Sequence, residues 1–328
     1  MKRTSFEERG SKDWAEFEDI LQQIESPRGQ PTSDPERLPG LFRQACSDLS
    51  LAEHRVYGKS LTERLNSLVI RGYNLIYKPS KPVTEGILTF LGQTFPRAVR
   101  AHAHLFWLNM LLFWGGFLAM VISVQFDPIW VQSVLGQEQM QAMDMTWGNR
   151  SPTEAVRDEF ESNFVMFCLY VYNNISIDFM TFAGGILFCL GTIFFSVFNG
   201  VHLGAATGYV HHACRPDTFY SFVAGHSSFE LMALVISGTA GMLLGLSILK
   251  PGRRTRRQAL VDAGRGSLPL ILGAASMTFV AACIEGFWSA QPLEPIIKYS
   301  VGVFFWVVLI VYLVFAGRGG NPNPQDEH

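Results

Sequence analysis

The residues best suited to chemistry in this sequence lie inside or beside long apolar segments. His226 and Glu230 are four residues apart, which places their side chains on one face of a helix. Glu285 lies towards the end of a later apolar segment. Small residues recur at helical spacing on the face of each carboxylate, so both carboxylates are predicted to point into a helix bundle rather than towards lipid.

Amide side chains extend this polar set. Asn173 and Asn174 belong to one apolar segment and Asn199 belongs to the next. A polar group in hydrocarbon must find a partner or cost several kcal/mol, and a span that only anchors a protein has no need of such groups. The sequence therefore predicts an intramembrane polar pocket with six members: Asn173, Asn174, Asn199, His226, Glu230 and Glu285.

Two interpretations of this pocket stay open. In the structural one, His226 and Glu230 serve as a helix cap and an interhelical hydrogen bond that fix the helix register. In the functional one, the pocket holds an ion, a proton or a lipid headgroup. Neither a metal site nor a cofactor is expected, because the face that carries one histidine and its carboxylates has no second histidine.

Sequence motifs of enzymes are missing. Ser227 and Ser228 adjoin His226, but the sequence has no GxSxG elbow, Walker loop, dinucleotide fingerprint or HExxH motif. The sequence therefore predicts a protein that is not an enzyme. A net charge of -2 provides no basic face, so nucleic acid is not an expected partner.

Six apolar segments are predicted to cross a lipid bilayer as helices. The first, 105–124, carries no charge and is long enough to cross the hydrocarbon core. The other five cover about 164–182, 186–209, 229–249, 268–287 and 299–316. The predicted fold class is therefore all-α, a polytopic helical membrane protein with about six transmembrane helices.

Basic residues set the predicted orientation. Of the 26 Lys and Arg residues, all but Arg150, Arg157, Arg215 and Lys298 fall on one side of this arrangement. The positive-inside rule assigns that side to the cytoplasm, so both termini are predicted to be cytoplasmic in a multi-pass protein of the inner (plasma) membrane. The predicted domains are a cytoplasmic helical domain (1–100), a six-span domain (101–318) with an outer loop at about 125–162, and a short cytoplasmic tail (319–328). A loosely ordered polar extension is the alternative for the first domain.

Small residues four apart in two consecutive spans predict close helix packing. They are Gly200, Gly204 and Gly208 in the third predicted span, and Ser237, Gly241 and Gly245 in the fourth. Residues of this size let two helix backbones approach closely within a membrane. The spacing leaves open whether the contact lies within one chain or between chains, and a homodimer is predicted from it alone.

Several short motifs follow one another in a distinctive order. They include Asn173-Asn174-Ile175, Asn199-Gly200, Leu203-Gly204, His226, Glu230-Leu231, Ser237-Gly238 and Glu285-Gly286-Phe287, with Phe95-Pro96-Arg97 ahead of the first span. Over about 95–290 this order resembles the stage II sporulation protein M family of integral membrane proteins. One departure is Gly225, which stands where the family often has proline before the histidine.

The resemblance implies a non-enzymatic scaffold or assembly factor for a membrane or cell-envelope complex. The named family member is a membrane scaffold for peptidoglycan-degrading proteins during engulfment in spore formation. Relatives are often encoded beside an AAA+ ATPase of the MoxR type, von Willebrand A-domain proteins and RDD-type membrane proteins. These proteins, or peptidoglycan-remodelling proteins, are therefore the expected partners. The alternative is a transporter, channel or lipid-handling protein that uses the intramembrane pocket.

Overall fold

The computed structural model describes residues 3–25, 37–77, 83–148 and 163–318. Every regular element within these ranges is helical, which confirms the all-α fold class. The predicted tail (319–328) and the second part of the predicted outer loop (149–162) lie outside the described residues. The chain divides into two compact units, Met1–Gly86 and Ile87–His328.

Three helices form the core of the first unit: α1 (Arg3–Glu25), α2 (Leu38–His54) and α3 (Lys59–Tyr77). Apolar residues at steps of three and four give α1 a buried face that includes Trp14, Phe17 and Leu21. The Trp14 indole donates a hydrogen bond of 3.0 Å to the buried Asp48 carboxylate on α2. The first unit is therefore a packed helical structure with its own core rather than a loosely ordered extension.

The remaining helices belong to the second unit, except that the first four residues of the helix Val83–Thr89 belong to the first. They are α4 (Val83–Thr89), α5 (Phe95–Ala101), α6 (Ala103–Phe126), α7 (Gln137–Trp147), α8 (Asn163–Ala183), α9 (Leu190–Ala213), α10 (Pro216–Ala224), α11 (Ser227–Leu249), α12 (Arg256–Ile284) and α13 (Pro295–Phe315). A π-helical turn (Phe90–Thr94) joins α4 to α5, and another (Glu285–Ser289) continues α12. Five of these helices, α6, α9, α11, α12 and α13, are long and apolar enough to cross a membrane.

The helix α5 belongs to this bundle, although the sequence analysis placed the domain boundary at residue 100. Phe95 and Val99 are buried in the bundle core. The Arg100 guanidinium donates two hydrogen bonds of 2.7 Å to the carbonyls of Leu313 and Ala316, at the end of α13. A residue that the sequence analysis used only as a topology signal thus caps the C-terminus of the last helix.

The helix α8 occupies the place of the second predicted crossing but is not among the five apolar helices. Asn173, Asn174 and Asp178 lower its hydropathy. Near its start Phe167 packs against Gly286, just after α12, and near its end the Thr181 carbonyl packs against α11. With 21 residues it is about 31 Å long, close to the thickness of a bilayer core.

The relative orientation of α6 and α9 indicates whether α8 crosses the membrane. Gly200 on α9 faces Phe113 on α6, and Gly208 faces Val124, so residue numbers rise together along the two helices. The helices are therefore parallel, and the chain between them returns to the side where α6 begins. Among the described residues between them, α8 is the helix with the length to do this, which supports six crossings; that number stays a prediction.

The central helix of the bundle is α11. Its apolar window is 72% buried, against 22% for α6 and 22% for α13. On the face predicted to point inwards, Ala233 and Ser237 are completely buried. This helix therefore positions the polar residues at its start against several neighbouring helices at once.

Both sets of small residues lie at helix contacts within one chain. A Cβ atom at Gly200 or Gly204 would meet the backbone of α6. A Cβ atom at Gly241 or Gly245 would meet the end of α8 or the turn that joins α8 to α9, and Ser237 is fully buried. Since these residues are used inside the chain, their spacing no longer argues for a homodimer, which stays an untested prediction.

The described part of the predicted outer loop is packed onto the bundle. The Trp147 ring lies 5.4 Å from the Phe219 ring and 5.2 Å from the Phe222 ring on α10, measured between centroids. The Tyr209 hydroxyl donates a hydrogen bond of 2.9 Å to Asp144 on α7. The helix α7 thus covers the ends of α9 and α10.

Candidate functional site

Two helix ends position the central polar residues of the bundle. His226 occupies the N-cap position of α11, where its side chain makes no capping hydrogen bond, and Glu230 lies in the first turn. Glu285 begins the π-helical turn after α12. Such π-helical turns in helices are frequent at functional sites. The structure thus brings together the two carboxylates that sequence spacing assigned to separate inward faces.

Gly225 allows the local chain path just before His226. A Cβ atom there would lie against the Trp288 indole, 2.9 Å from its Cε3 atom. The absence of a side chain lets the backbone before His226 approach the π-helical turn closely. This close approach places His226 beside Glu285 and Ser289.

The geometry of this cluster is specific. His226 Nε2 lies 3.8 Å from Glu230 Oε2 and 3.9 Å from Glu285 Oε1. These separations exceed hydrogen-bond length. On its other side, His226 Nδ1 is 3.1 Å from Ser289 Oγ, a hydrogen bond that joins the start of α11 to the turn after α12. The His226 and Glu285 side chains are 5% and 11% exposed, whereas that of Glu230 is 31% exposed.

A cavity of about 410 Å³ adjoins the cluster. Four of the six predicted pocket residues line it: Asn173, Asn174, Asn199 and Glu230. Within it, Asn173 donates a hydrogen bond of 2.8 Å to Asn174, and Asn199 donates one of 2.7 Å to the Phe195 carbonyl of its own helix. His226 and Glu285 are not among the lining residues. The predicted pocket is therefore two adjoining groups that share Glu230.

Asp178 is a member of the cavity wall that the site prediction left out. It is 2% exposed and accepts a hydrogen bond of 2.5 Å from the Thr278 hydroxyl, which joins α8 to α12. Asn174 and Asp178 are four residues apart, so helical spacing was the signal that would have found it. His202 also lines the cavity.

Asn109 is a second residue that sequence reasoning missed. It is 1% exposed, donates a hydrogen bond of 2.8 Å to the Val235 carbonyl and accepts one of 2.7 Å from Ser196. These bonds join α6, α9 and α11, and the side chain lies against Gly238. Because its donor and acceptor both have protein partners, Asn109 has a structural role in fixing the three helices.

The fold and this polar centre define a helical integral membrane protein with ionisable residues inside its bundle. The chain belongs to the stage II sporulation protein M family, since the family model described as Stage II sporulation protein M matches residues 109–290, more than half of the 328 residues. This confirms the resemblance found in the sequence. Residues 4–78 match a second model, described as a domain of unknown function (DUF8413). No curated protein and no solved structure matches the chain.

Proposed function

We propose that this protein is a non-enzymatic scaffold or assembly factor for a cell-envelope complex in the inner (plasma) membrane. Membership of the stage II sporulation protein M family supports the membrane part of this proposal. The observation that carries the rest is the first unit, a helical structure with its own apolar core. A separate folded unit provides a docking surface that the bundle alone would lack.

An exposed stripe on the first unit suits a protein partner. Ile70, Tyr73 and Tyr77 recur at helical spacing on α3 and are 52%, 57% and 62% exposed. The two tyrosine rings lie 5.1 Å apart. Aromatic residues are enriched at protein interfaces because they combine a large apolar area with a polar tip. The proposed partners are an AAA+ ATPase of the MoxR type, a von Willebrand A-domain protein, an RDD-type membrane protein or a peptidoglycan-remodelling protein.

In this proposal both chain termini and the first unit lie in the cytoplasm. Phe95, just before the first span, packs against Gly273, which lies near the start of the fifth predicted span (268–287) and within α12. The basic segment from Lys250 to Arg257 precedes that span in the sequence. A cytoplasmic location for this end follows the positive-inside rule.

Co-purification tests the scaffold. The tagged full-length protein, solubilised from its native membranes, is expected to retain at least one of the proposed partner classes. The double variant Ile70→Ser/Tyr73→Ser is expected to lose that partner, because two apolar contacts are removed from the stripe. Ile87→Ser is the matched control, since Ile87 is also exposed (53%) but lies outside the stripe. Purification without any of these partners, or equal loss from both variants, would contradict the proposal.

The cavity favours a second function, transport or lipid handling by a transporter or channel. Its volume of about 410 Å³ is large enough for a headgroup or a small solute, and polar side chains from four helices line it. Purified protein in liposomes would then conduct ions or move lipids, and Glu230→Gln would reduce this flux. Loss of flux with partners retained in the Glu230→Gln variant would favour this function over the scaffold.

A further inference from the structure

We propose that His226, Glu230 and Glu285 bind one divalent first-row transition-metal ion where α11 meets the turn after α12. The site goes beyond the scaffold function, because the ion would fix the contact between two helices inside the bundle. Three side chains each offer one ligand atom, and these atoms all lie within 4.8 Å of one another.

The spacing of the three side chains is close to that of a coordination sphere. Ligands placed about 2.1 Å from a tetrahedral ion are roughly 3.4 Å apart. Here His226 Nε2 is 3.8 Å from one carboxylate oxygen and 3.9 Å from the other. The two His226 separations exceed this spacing by about 0.4 and 0.5 Å, and the two carboxylate oxygens lie at most 4.8 Å apart, so changes in the χ angles of the two Glu side chains would have to draw the three atoms together around the ion.

The histidine is oriented as a ligand. Its Nδ1 atom lies 3.1 Å from Ser289 Oγ. The tautomer with its proton on Nδ1 donates to this hydroxyl and leaves the Nε2 lone pair facing both carboxylates, and it is this tautomer that would bind the ion. Metal-binding histidines are commonly held in this way by a hydrogen bond from the nitrogen that does not bind the ion. Without an ion, three electron-rich atoms face one another at distances too long for hydrogen bonds.

An unpartnered carboxylate oxygen is the second, independent observation. Glu285 is 9% exposed, and its Oε2 atom is fully buried without a hydrogen-bond partner in the described part of the chain. Within that part, His226 is the basic residue that contacts Glu230 and Glu285. A buried carboxyl group and a partly buried one beside a single histidine are neutralised either by protons or by a cation, and a divalent cation neutralises both at once.

The adjoining cavity provides access and open coordination positions. Glu230 lines the cavity while its carboxylate also contacts His226. An ion that enters the cavity therefore meets Glu230 first and reaches the more buried His226 and Glu285 next. Water or another ligand in the cavity can complete the coordination sphere, as in metal sites with three protein ligands.

The donor set selects the class of ion. Ca²⁺ takes six to eight oxygen ligands and Mg²⁺ is mostly bound by oxygen, so an imidazole nitrogen disfavours both. One imidazole and two carboxylates suit Zn²⁺ or Mn²⁺. The sequence analysis expected no metal because it found no second histidine. One histidine, the carboxylate of Glu230 on the same helix and the carboxylate of Glu285 after α12 nevertheless provide three donors, which is a sufficient set.

Metal binding by the full-length protein in detergent tests the site. After removal of bound metal with EDTA, the protein is equilibrated with ZnCl₂ or MnCl₂. The number of bound ions per chain is then measured by inductively coupled plasma mass spectrometry. We expect one ion per chain and at least tenfold weaker binding in Glu285→Gln and His226→Gln. Ser289→Ala is expected to weaken binding about 10–100-fold, because it frees the imidazole without removing a ligand. Binding of Mn²⁺ is also seen as loss of the six-line electron paramagnetic resonance signal of the hydrated ion. This signal does not depend on the stability of the protein fold.

A control variant separates this site from other ligands. The double variant His211→Gln/His212→Gln removes exposed histidines at the end of α9, outside the cluster and the cavity wall. It is expected to bind one ion as the wild type does. The proposal is overturned if the wild type binds no ion, if only the His211/His212 variant loses it, or if folded Glu285→Gln and His226→Gln chains bind as tightly as the wild type.

Discussion

A single added methyl group at Gly200 provides the sharpest test of the helix packing. In Gly200→Ala the new Cβ atom would lie 3.1 Å from the carbonyl carbon of Phe113 and 3.2 Å from the backbone nitrogen of Phe117, with the Phe113 oxygen nearer still. Ordinary contacts between carbon atoms are about 3.5–4.0 Å. These neighbours are backbone atoms of α6, so they cannot rotate aside, and the two helices have to separate.

The expected decrease in the free energy of unfolding of Gly200→Ala is the balance of two opposing effects. Overpacking costs about 1–3 kcal/mol, and a clash with backbone belongs at the upper end. Alanine regains up to about 1 kcal/mol through its higher helix propensity. Gly200→Ala should therefore lower the free energy of unfolding by about 2 kcal/mol. At Gly115 the nearest atom is Leu111 Cδ1, 4.0 Å away in the same helix, so Gly115→Ala should leave stability unchanged or raise it by up to about 1 kcal/mol.

Unfolding in mixed micelles with increasing sodium dodecyl sulfate measures both free energies under the same conditions. Gly208→Ala adds an intermediate case, because the three atoms nearest to its Cβ atom belong to the Val124 side chain, 2.9–3.2 Å away, rather than to the backbone. The expected order of stability is Gly115→Ala, then Gly208→Ala, then Gly200→Ala. If Gly200→Ala lies within about 0.5 kcal/mol of Gly115→Ala, the close parallel contact of α6 and α9 is wrong.

Three further predictions concern the ends of the bundle. Arg100→Lys keeps the positive charge but cannot form the forked pair of bonds to α13, so we expect unchanged topology and a loss of about 1 kcal/mol in the same unfolding assay. Alkaline phosphatase fused after Leu187 should be inactive, whereas a fusion after Gln137 should be active; equal activity would show that α8 does not cross the membrane. Burial, together with the charge and hydrogen bond of Asp144, raises the pKa of the Cys214 thiol to about 11. A raised pKa means that less of the Cys214 thiol is ionised at neutral pH. The rate at which maleimide labels Cys214 should therefore increase about tenfold per pH unit from pH 8 to 10. Asp144→Asn should lower the pKa and speed labelling at pH 8, and an unchanged rate would contradict this assignment.

Hydropathy predicted the membrane helices well, because a long apolar segment without charged residues can be recognised from the local sequence alone. The first span was predicted at 105–124 and extends over Ala103–Phe126. The fifth was predicted at 268–287, but α12 begins at Arg256, because a helix can continue beyond the membrane with charged residues on it. Hydropathy records where a helix leaves the apolar region, not where its hydrogen bonds end.

The candidate site was predictable only within each helix. Spacing placed His226 and Glu230 on one face, and in the structure their side chains lie 3.8 Å apart at the start of α11, with His226 buried and Glu230 partly buried. The prediction of one pocket grouped Glu285 with His226 without showing which atoms approach each other, and it left out the contact of Asp178 with Thr278 across two helices. Contacts of this kind depend on the rotation and offset of packed helices, which periodicity along one segment does not determine.

The bonds from Arg100 to the carbonyls of α13 also constrain the order of biogenesis. These bonds join the segment before the first span to the last helix, which lies beyond the residues of the family match, while Gly302 on α13 packs against the Ala224 carbonyl at the end of α10. Because synthesis proceeds from the N-terminus, the earlier spans enter the bilayer before α13 is synthesised. The contacts between α13 and the rest of the bundle therefore form last. A chain that stops at residue 290 would lack both contacts, so its bundle would stay open along the face that α13 covers.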